Sequence, residues 1–234
     1  HLLGAITQEA LDEQRGVVQN EKRQRETRPY AKMGEKIREG LYPVGHPYRH
    51  TIIGSMDDLN AATVDDVHEW FRTYYGASNV VLVLAGDVTV EEAQEKVTHY
   101  FAAAPAGEPL AHPQKWVPNL TENREELMYD RVGQTRITRV WALPGLNDRD
   151  TSLMYLVNDS LAGNKNSPLQ RKLVDELQLA TRVYGGAYGR VMSGEYSLTI
   201  DLRPGVEPQQ PPSILTMPSS AHSRRKPPSL CASK

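Results

Sequence analysis

Glu21 is the residue whose type and spacing best suit metal chemistry in this sequence. If the chain around it is helical, Val17 lies four positions before it, Val18 three and Gln14 seven. Those offsets place its carboxylate on or beside an apolar helix face. A carboxylate buried there needs a cation, a metal or hydrogen-bond donors. The competing reading is that Glu21 opens a solvated charge run, Glu21-Lys22-Arg23-Gln24-Arg25-Glu26. His46 and His50 stand four apart, a metal-ligand spacing on a helix, but Pro47 and the surrounding loop residues argue against a helix. His68 and His99 read as helix residues, one partly buried and one at a helix end. Cys231 is the only cysteine, which excludes an intrachain disulfide and a thiolate metal cluster. No G-x-S-x-G or phosphate-binding glycine loop occurs, and Gly185-Gly186 reads as a bend in a strand. Arg23, Arg25 and Arg28 are balanced by Glu21, Glu26 and Glu35, as on a solvated helix face.

The elements that must position these residues alternate between helix and strand. Residues 7–40 read as helical, with Thr7 as cap and Ala10, Leu11, Val17 and Val18 at helical spacing. Residues 41–54, with Pro43, Gly45 and Pro47, read as a loop. Ser55-x-x-Asp58, Thr63-x-x-Asp66 and Thr89-x-x-Glu92 are capping patterns. Val80 to Ala85 is a continuous apolar run of strand length. Residues 104–124 carry five prolines or glycines and little periodicity, as in a linker. Beyond it come a strand over 134–143, a helix over 152–161 and a helix opened by Ser167-Pro168 with Leu169, Leu173 and Leu177 on one face. Strands over 183–188 and 196–202 follow. This mixture predicts an α+β fold, with sheets carrying helices on one face. The domains expected are 1–104, a linker at 105–125, a second unit at 126–207, and a disordered or aberrant tail at 208–234.

The segment Leu11-Asp12-Glu13-Gln14-Arg15-Gly16-Val17-Val18-Gln19-Asn20-Glu21-Lys22-Arg23 resembles the stretch of pitrilysin/insulinase-type zinc metallopeptidases that carries the third zinc ligand. His46-Pro47-Tyr48, Ile52-Ile53-Gly54-Ser55, Asp58-Leu59, Phe71-x-x-Tyr74-Tyr75, Asn79 and Val81-Leu82-Val83-Leu84-Ala85-Gly86-Asp87 follow in the family's order. Residues 126–206 resemble the second domain more loosely. The resemblance implies a processing-peptidase-like fold of two related domains with two-layer, antiparallel-type sheets. It also implies a zinc-dependent endopeptidase or oligopeptidase that hydrolyses peptide bonds through a zinc-activated water. In that family two histidines of H-x-x-E-H and a downstream Glu hold Zn2+, and the Glu inside the motif is the general base. Glu21 matches the downstream ligand. A second Glu that many members carry seven residues earlier is Gln14 here, with Glu13 beside it, and these two are the candidates for supporting the ligand.

No H-x-x-E-H occurs in the 234 residues. By resemblance the motif and its general base belong upstream of residue 1, so this polypeptide alone is expected to be inactive and to bind zinc weakly. The substrate-binding Tyr of the family's other half has Thr181 in the comparable place, which assigns this chain to the metal-binding half. The implied partners are peptide substrates and a second half or subunit that closes the chamber. The alternative is a non-catalytic subunit of the same fold that binds peptides or scaffolds a complex. For a bacterial member the periplasm is favoured over the cytoplasm.

Composition sharpens the boundaries. Of 27 basic and 29 acidic residues, four basic and no acidic ones fall in 208–234, leaving 23 and 29 and a net charge of -6 before the tail. An acidic body argues against a general nucleic-acid binder, and no run approaches a membrane span. The tail also holds six prolines and six serines. Relatives continue into a helix after Val206, so a frameshift or assembly artefact is the expectation for this tail.

Overall fold

The structure, a computed structural model, describes residues 2–208. The expectation of an aberrant tail falls, from residue 209 on, outside the described residues.

Helix α1 (Leu2–Ala5) precedes α2 (Gln8–Glu26), whose first turn is capped as the sequence predicts: the Thr7 hydroxyl accepts from the Ala10 N–H at 3.2 Å. The helix expected over 7–40 is instead two helices. Pro29 cannot donate a backbone hydrogen bond, and Tyr30 takes a left-handed φ of 63°. Helix α3 (Met33–Leu41) starts beyond this break. The loop predicted after it contains a single 3-10 turn, Pro47–Arg49.

Three short helical elements begin at the predicted caps. Ser55 opens α4 (Met56–Ala61) by accepting from the Asp58 N–H. Thr63 and Asp66 form a reciprocal capping box on α5 (Val64–Tyr74), and Thr89 and Glu92 do the same on α6 (Val90–Phe101). Between α5 and α6, residues 80–85 do not join a ladder. Their side chains are exposed, Val81 at 89% and Val83 at 80%. The predicted strand is missing for a physical reason: an apolar run becomes a strand only by pairing its N–H and C=O groups, and no described segment pairs with it.

Strands β1 (Arg136–Leu143), β2 (Ala180–Tyr188) and β3 (Gly194–Leu202) form an antiparallel sheet in the order β1-β3-β2. The β1–β3 register is fixed by facing side chains. Arg136 makes a two-pronged ion pair with Asp201, Thr138 bonds Thr199, and Trp141 packs on Tyr196 with ring centroids 5.6 Å apart. Helix α7 (Arg149–Leu161) starts three residues before its predicted position. Helix α8 (Pro168–Gln170) passes directly into a π-turn over Arg171–Glu176. Ser167 does not cap it, because its hydroxyl donates to the Asn164 carbonyl at 2.7 Å. The wider turn also alters the expected stripe. Leu169 and Leu173 are buried, whereas Leu177, whose N–H reaches five residues back to Lys172, is exposed.

The described residues group into two compact units. One holds 2–132, 140–154 and 187–196; the other holds 133–139, 155–186 and 197–208. The apolar core of the second is built from Leu169, Leu173, Val183, Leu198, Ile200 and Leu202. Across the described residues, no helix is long and apolar enough to cross a membrane.

Candidate functional site

Glu21 sits in the last two turns of α2. The buried side of that helix is formed by Leu11, Arg15, Val18, Gln19 and Lys22. Only Lys22 is fully buried, with its ammonium 3.1 Å from Glu26. Gln14, Val17 and Glu21 share a different stripe, roughly 110° round the helix by α-helical geometry. All three are exposed, as is Glu13. The predicted juxtaposition of Glu21 with Val17 and Gln14 is therefore present, but the face is open rather than buried. With 46% of its side chain accessible, Glu21 pairs with Arg25 one turn on. This cation takes the place that the sequence argument reserved for a buried partner.

A carboxylate oxygen suits Zn2+, and this one is accessible on an open face. Among the described residues, however, no group of three or more His, Cys, Asp or Glu side chains could hold a metal. The donor set fits zinc as one ligand and not as a complete site.

Helix α2 is held from its other side. The Arg15 guanidinium donates from Nε to the Leu59 carbonyl at 2.9 Å and from Nη2 to the Ala62 carbonyl at 2.6 Å, and it pairs with Asp12. The Gln19 amide donates to the Asn60 side chain at 2.7 Å. His68 of α5 bonds the Ile6 carbonyl at 3.1 Å. Nothing in the spacing around Arg15 points to these bonds, although the residue lies inside the segment that carries the resemblance.

The two histidines considered as a loop metal pair are separated in character. His50 is exposed. His46 is completely buried and both its nitrogens are engaged: Nδ1 accepts from the Tyr48 N–H at 3.0 Å, and Nε2 lies 2.9 Å from the Trp116 carbonyl. Since that carbonyl can only accept, Nε2 carries the proton. The imidazole packs against Tyr42, Tyr48 and Trp116. Beside it, Arg190 donates to Glu195 at 3.1 Å and to the Tyr42 hydroxyl at 3.2 Å. Burial pushes the Tyr42 phenol above its ordinary value, and the Glu195 carboxylate adds to the shift. This cluster fastens the 41–50 loop to residues 190–195 and 116. Spacing could not reveal it, because its members are far apart in the chain.

The family model described as the peptidase M16 inactive domain matches residues 61–212. The chain belongs to the peptidase M16 family. Glu21 lies before the matched residues. Curated relatives include the zinc protease PqqE of Helicobacter pylori, 26% identical over 144 residues, covering 60% of this chain and 32% of PqqE. Another is an uncharacterised zinc protease of Streptomyces coelicolor, 25% identical over 214 residues, covering 87% of this chain and 45% of the relative. The chain thus spans less than half the length of either. Among solved structures, a protease from Helicobacter pylori superposes with a TM-score of 0.67 at 22% identity, covering 86% of this chain and 49% of that one. The pitrilysin-type resemblance and the α+β, processing-peptidase-like fold are borne out. The names of these relatives associate the family with zinc and proteolysis.

Proposed function

We propose that this chain is part of the zinc-binding half of an M16 metallopeptidase and contributes one ligand, Glu21, to a zinc site completed by residues outside it. The observation that carries this reading is the open stripe of α2. Gln14, Val17 and Glu21 face solvent on a helix whose other flank, roughly 110° round, is fastened to α4. An accessible carboxylate on an open helix face is free to reach a metal whose other ligands lie on another element. Zinc, when bound, supplies Lewis-acid polarisation of a peptide carbonyl and acidification of water.

This chain's own residues have narrower tasks. Glu21 exchanges its Arg25 partner for the metal. Gln14 and Glu13 lie about two turns N-terminal to it, and Gln14 shares its stripe and can orient a ligand by hydrogen bonding. The reading includes peptide substrates, a second half or subunit closing a chamber, and a division into units at 1–104 and 126–207. In a bacterial source it includes export to the periplasm.

With a single ligand, the chain by itself has no route to hydrolysis. The test is incubation of the purified 234-residue chain with zinc and an unstructured reporter peptide. No chelator-sensitive cleavage is expected, and chelator-sensitive cleavage would overturn the proposal. A second reading, a non-catalytic subunit of the same fold, is favoured by the description of the matching family model as an inactive domain. A full-length protein that carries Glu21 but retains no zinc would support it.

A further inference from the structure

Residues 104–132 contain neither helix nor strand, yet two pins hold them. At the first, the Ala77 and Ser78 N–H groups donate to the Pro105 and Ala106 carbonyls at 2.9 and 2.8 Å. Gly76 and Gly107 meet there so closely that a side chain on either would strike backbone. At the second, the Trp116 N–H donates to the Met192 carbonyl at 3.0 Å, and the Trp116 carbonyl accepts from His46 Nε2 at 2.9 Å. The indole and imidazole centroids lie 4.7 Å apart. We propose that this segment is a strap latched at Trp116 by neutral His46, and that a proton on His46 opens the latch.

The two pins differ in what can titrate. The first is made of backbone alone. At the second, His46 is completely buried and each ring nitrogen has a fixed role. Nδ1 faces the Tyr48 N–H, which only donates, and Nε2 faces a carbonyl, which only accepts. The site therefore takes one form of the ring, neutral with its proton on Nε2. A proton taken from solvent by Nδ1 sets one N–H against another. The ring is rigid, so turning Nδ1 away from Tyr48 also withdraws Nε2 from Trp116. The surroundings oppose the new charge as well. Three guanidinium groups hold the two tyrosines that pack on the imidazole: Arg38 on the Tyr48 carbonyl at 3.4 Å, Arg49 on the Tyr42 carbonyl, and Arg190 on the Tyr42 hydroxyl at 3.2 Å. The carboxylates of the same elements are engaged, Glu195 with Arg190 and Glu39 with Lys36. On the strap, Lys115 lies 3.9 Å from Asp148. A phenol carries no charge in acid, so Tyr42 and Tyr48 offer the imidazolium no anion. A buried charge without a partner is costly, and swinging out with the strap released relieves it.

The experiment is hydrogen exchange on the full-length protein that contains this chain, read by mass spectrometry and resolved to single amides by fragmentation. It runs from about pH 8 to about pH 5.5, an interval that spans the usual charge change of an imidazole, with each rate divided by the intrinsic rate of that amide at that pH. The Trp116 amide reports the latch, and the Ala77 and Ser78 amides report the first pin. In the unaltered protein the protection of Trp116 should fall about tenfold on acidification, the loss of roughly one hydrogen bond. Ala77 and Ser78 should keep theirs. His46→Gln, uncharged throughout, should make the protection of Trp116 independent of pH. His50→Gln and His112→Gln together, which remove the neighbouring histidines of the loop and the strap, should leave the fall intact. Constant protection of Trp116 in the unaltered protein overturns the proposal. So does an equal fall at Ala77 and Ser78, which marks general loosening, or a fall that survives in His46→Gln. If His46→Gln does not fold, the paired variant decides: a fall that persists there supports His46, and its disappearance assigns the proton elsewhere and overturns the proposal.

Discussion

Replacing both Val81 and Val83 with lysine should leave the stability of this chain almost unchanged. In an apolar run this would ordinarily be among the most damaging substitutions available. The structure reverses the expectation, because the two side chains are 89% and 80% exposed and no described segment pairs with residues 80–85. Full burial of a valine is worth about 1.5 kcal/mol at the lower end of the usual range. Only a tenth to a fifth of that is at stake at each position, so the pair should lose about 0.5 kcal/mol. Urea denaturation followed by far-UV circular dichroism reads this difference from the midpoint at constant slope. The same variant should aggregate more slowly, since a β-prone, uncharged run with free backbone groups is a template for edge pairing and lysine blunts it. A loss above about 1.5 kcal/mol, the size of an ordinary core substitution, would show that the run is buried and refute the reasoning.

Two further outcomes follow from particular contacts. Glu195→Ala leaves the half-buried Arg190 guanidinium without its carboxylate and should destabilise by about 2 kcal/mol in urea melts, whereas Tyr42→Phe, which removes the hydroxyl that accepts from Arg190 at 3.2 Å and donates to Glu195 at 3.4 Å, should lose about 1 kcal/mol; equal losses would mean that the ion pair is screened. The Asp66 carboxyl is held below its ordinary value by the Thr63 hydroxyl and then by the Thr63 N–H, so its contribution to stability is present above the usual carboxylate range and fades as pH falls through the lowered value. In Thr63→Ala an NMR titration of Asp66 should shift upward, and an unmoved curve would remove the capping box as its cause.

Local signals in this sequence were legible wherever a few neighbouring residues determine the outcome. The Thr7, Ser55, Thr63 and Thr89 caps each satisfy an N–H three residues on, and each opens a helix. The alternation Tyr196, Leu198, Ile200 and Leu202 identified a strand whose inward residues are all buried. Elements that depend on distant partners were not legible. The run at 80–85 has strand composition but no paired neighbour, and the π-turn at 171–176 moves Leu177 off a stripe that ideal α geometry would continue. Pro29 was visible, yet the periodicity on both sides of it suggested one continuous helix. For the candidate site, spacing placed Glu21 on one stripe with Gln14 and Val17 but left open whether that stripe is buried or solvated, and the exposure of Glu21 matches the charge-run reading. Which side of α2 is covered depends on Arg15 reaching two carbonyls 44 and 47 residues away. The Tyr42–His46–Arg190–Glu195 cluster escaped notice for the same reason.

The most direct measurement is zinc-edge X-ray absorption, combined with a zinc-anomalous crystal structure, on the full-length protein that contains this chain. The account predicts a zinc ion with an oxygen of Glu21 at about 2.0–2.2 Å, the Arg25 pairing broken, and imidazole nitrogens from outside this chain completing the protein ligands. Zinc bound with Glu21 still paired to Arg25, and no oxygen ligand from α2, would contradict it.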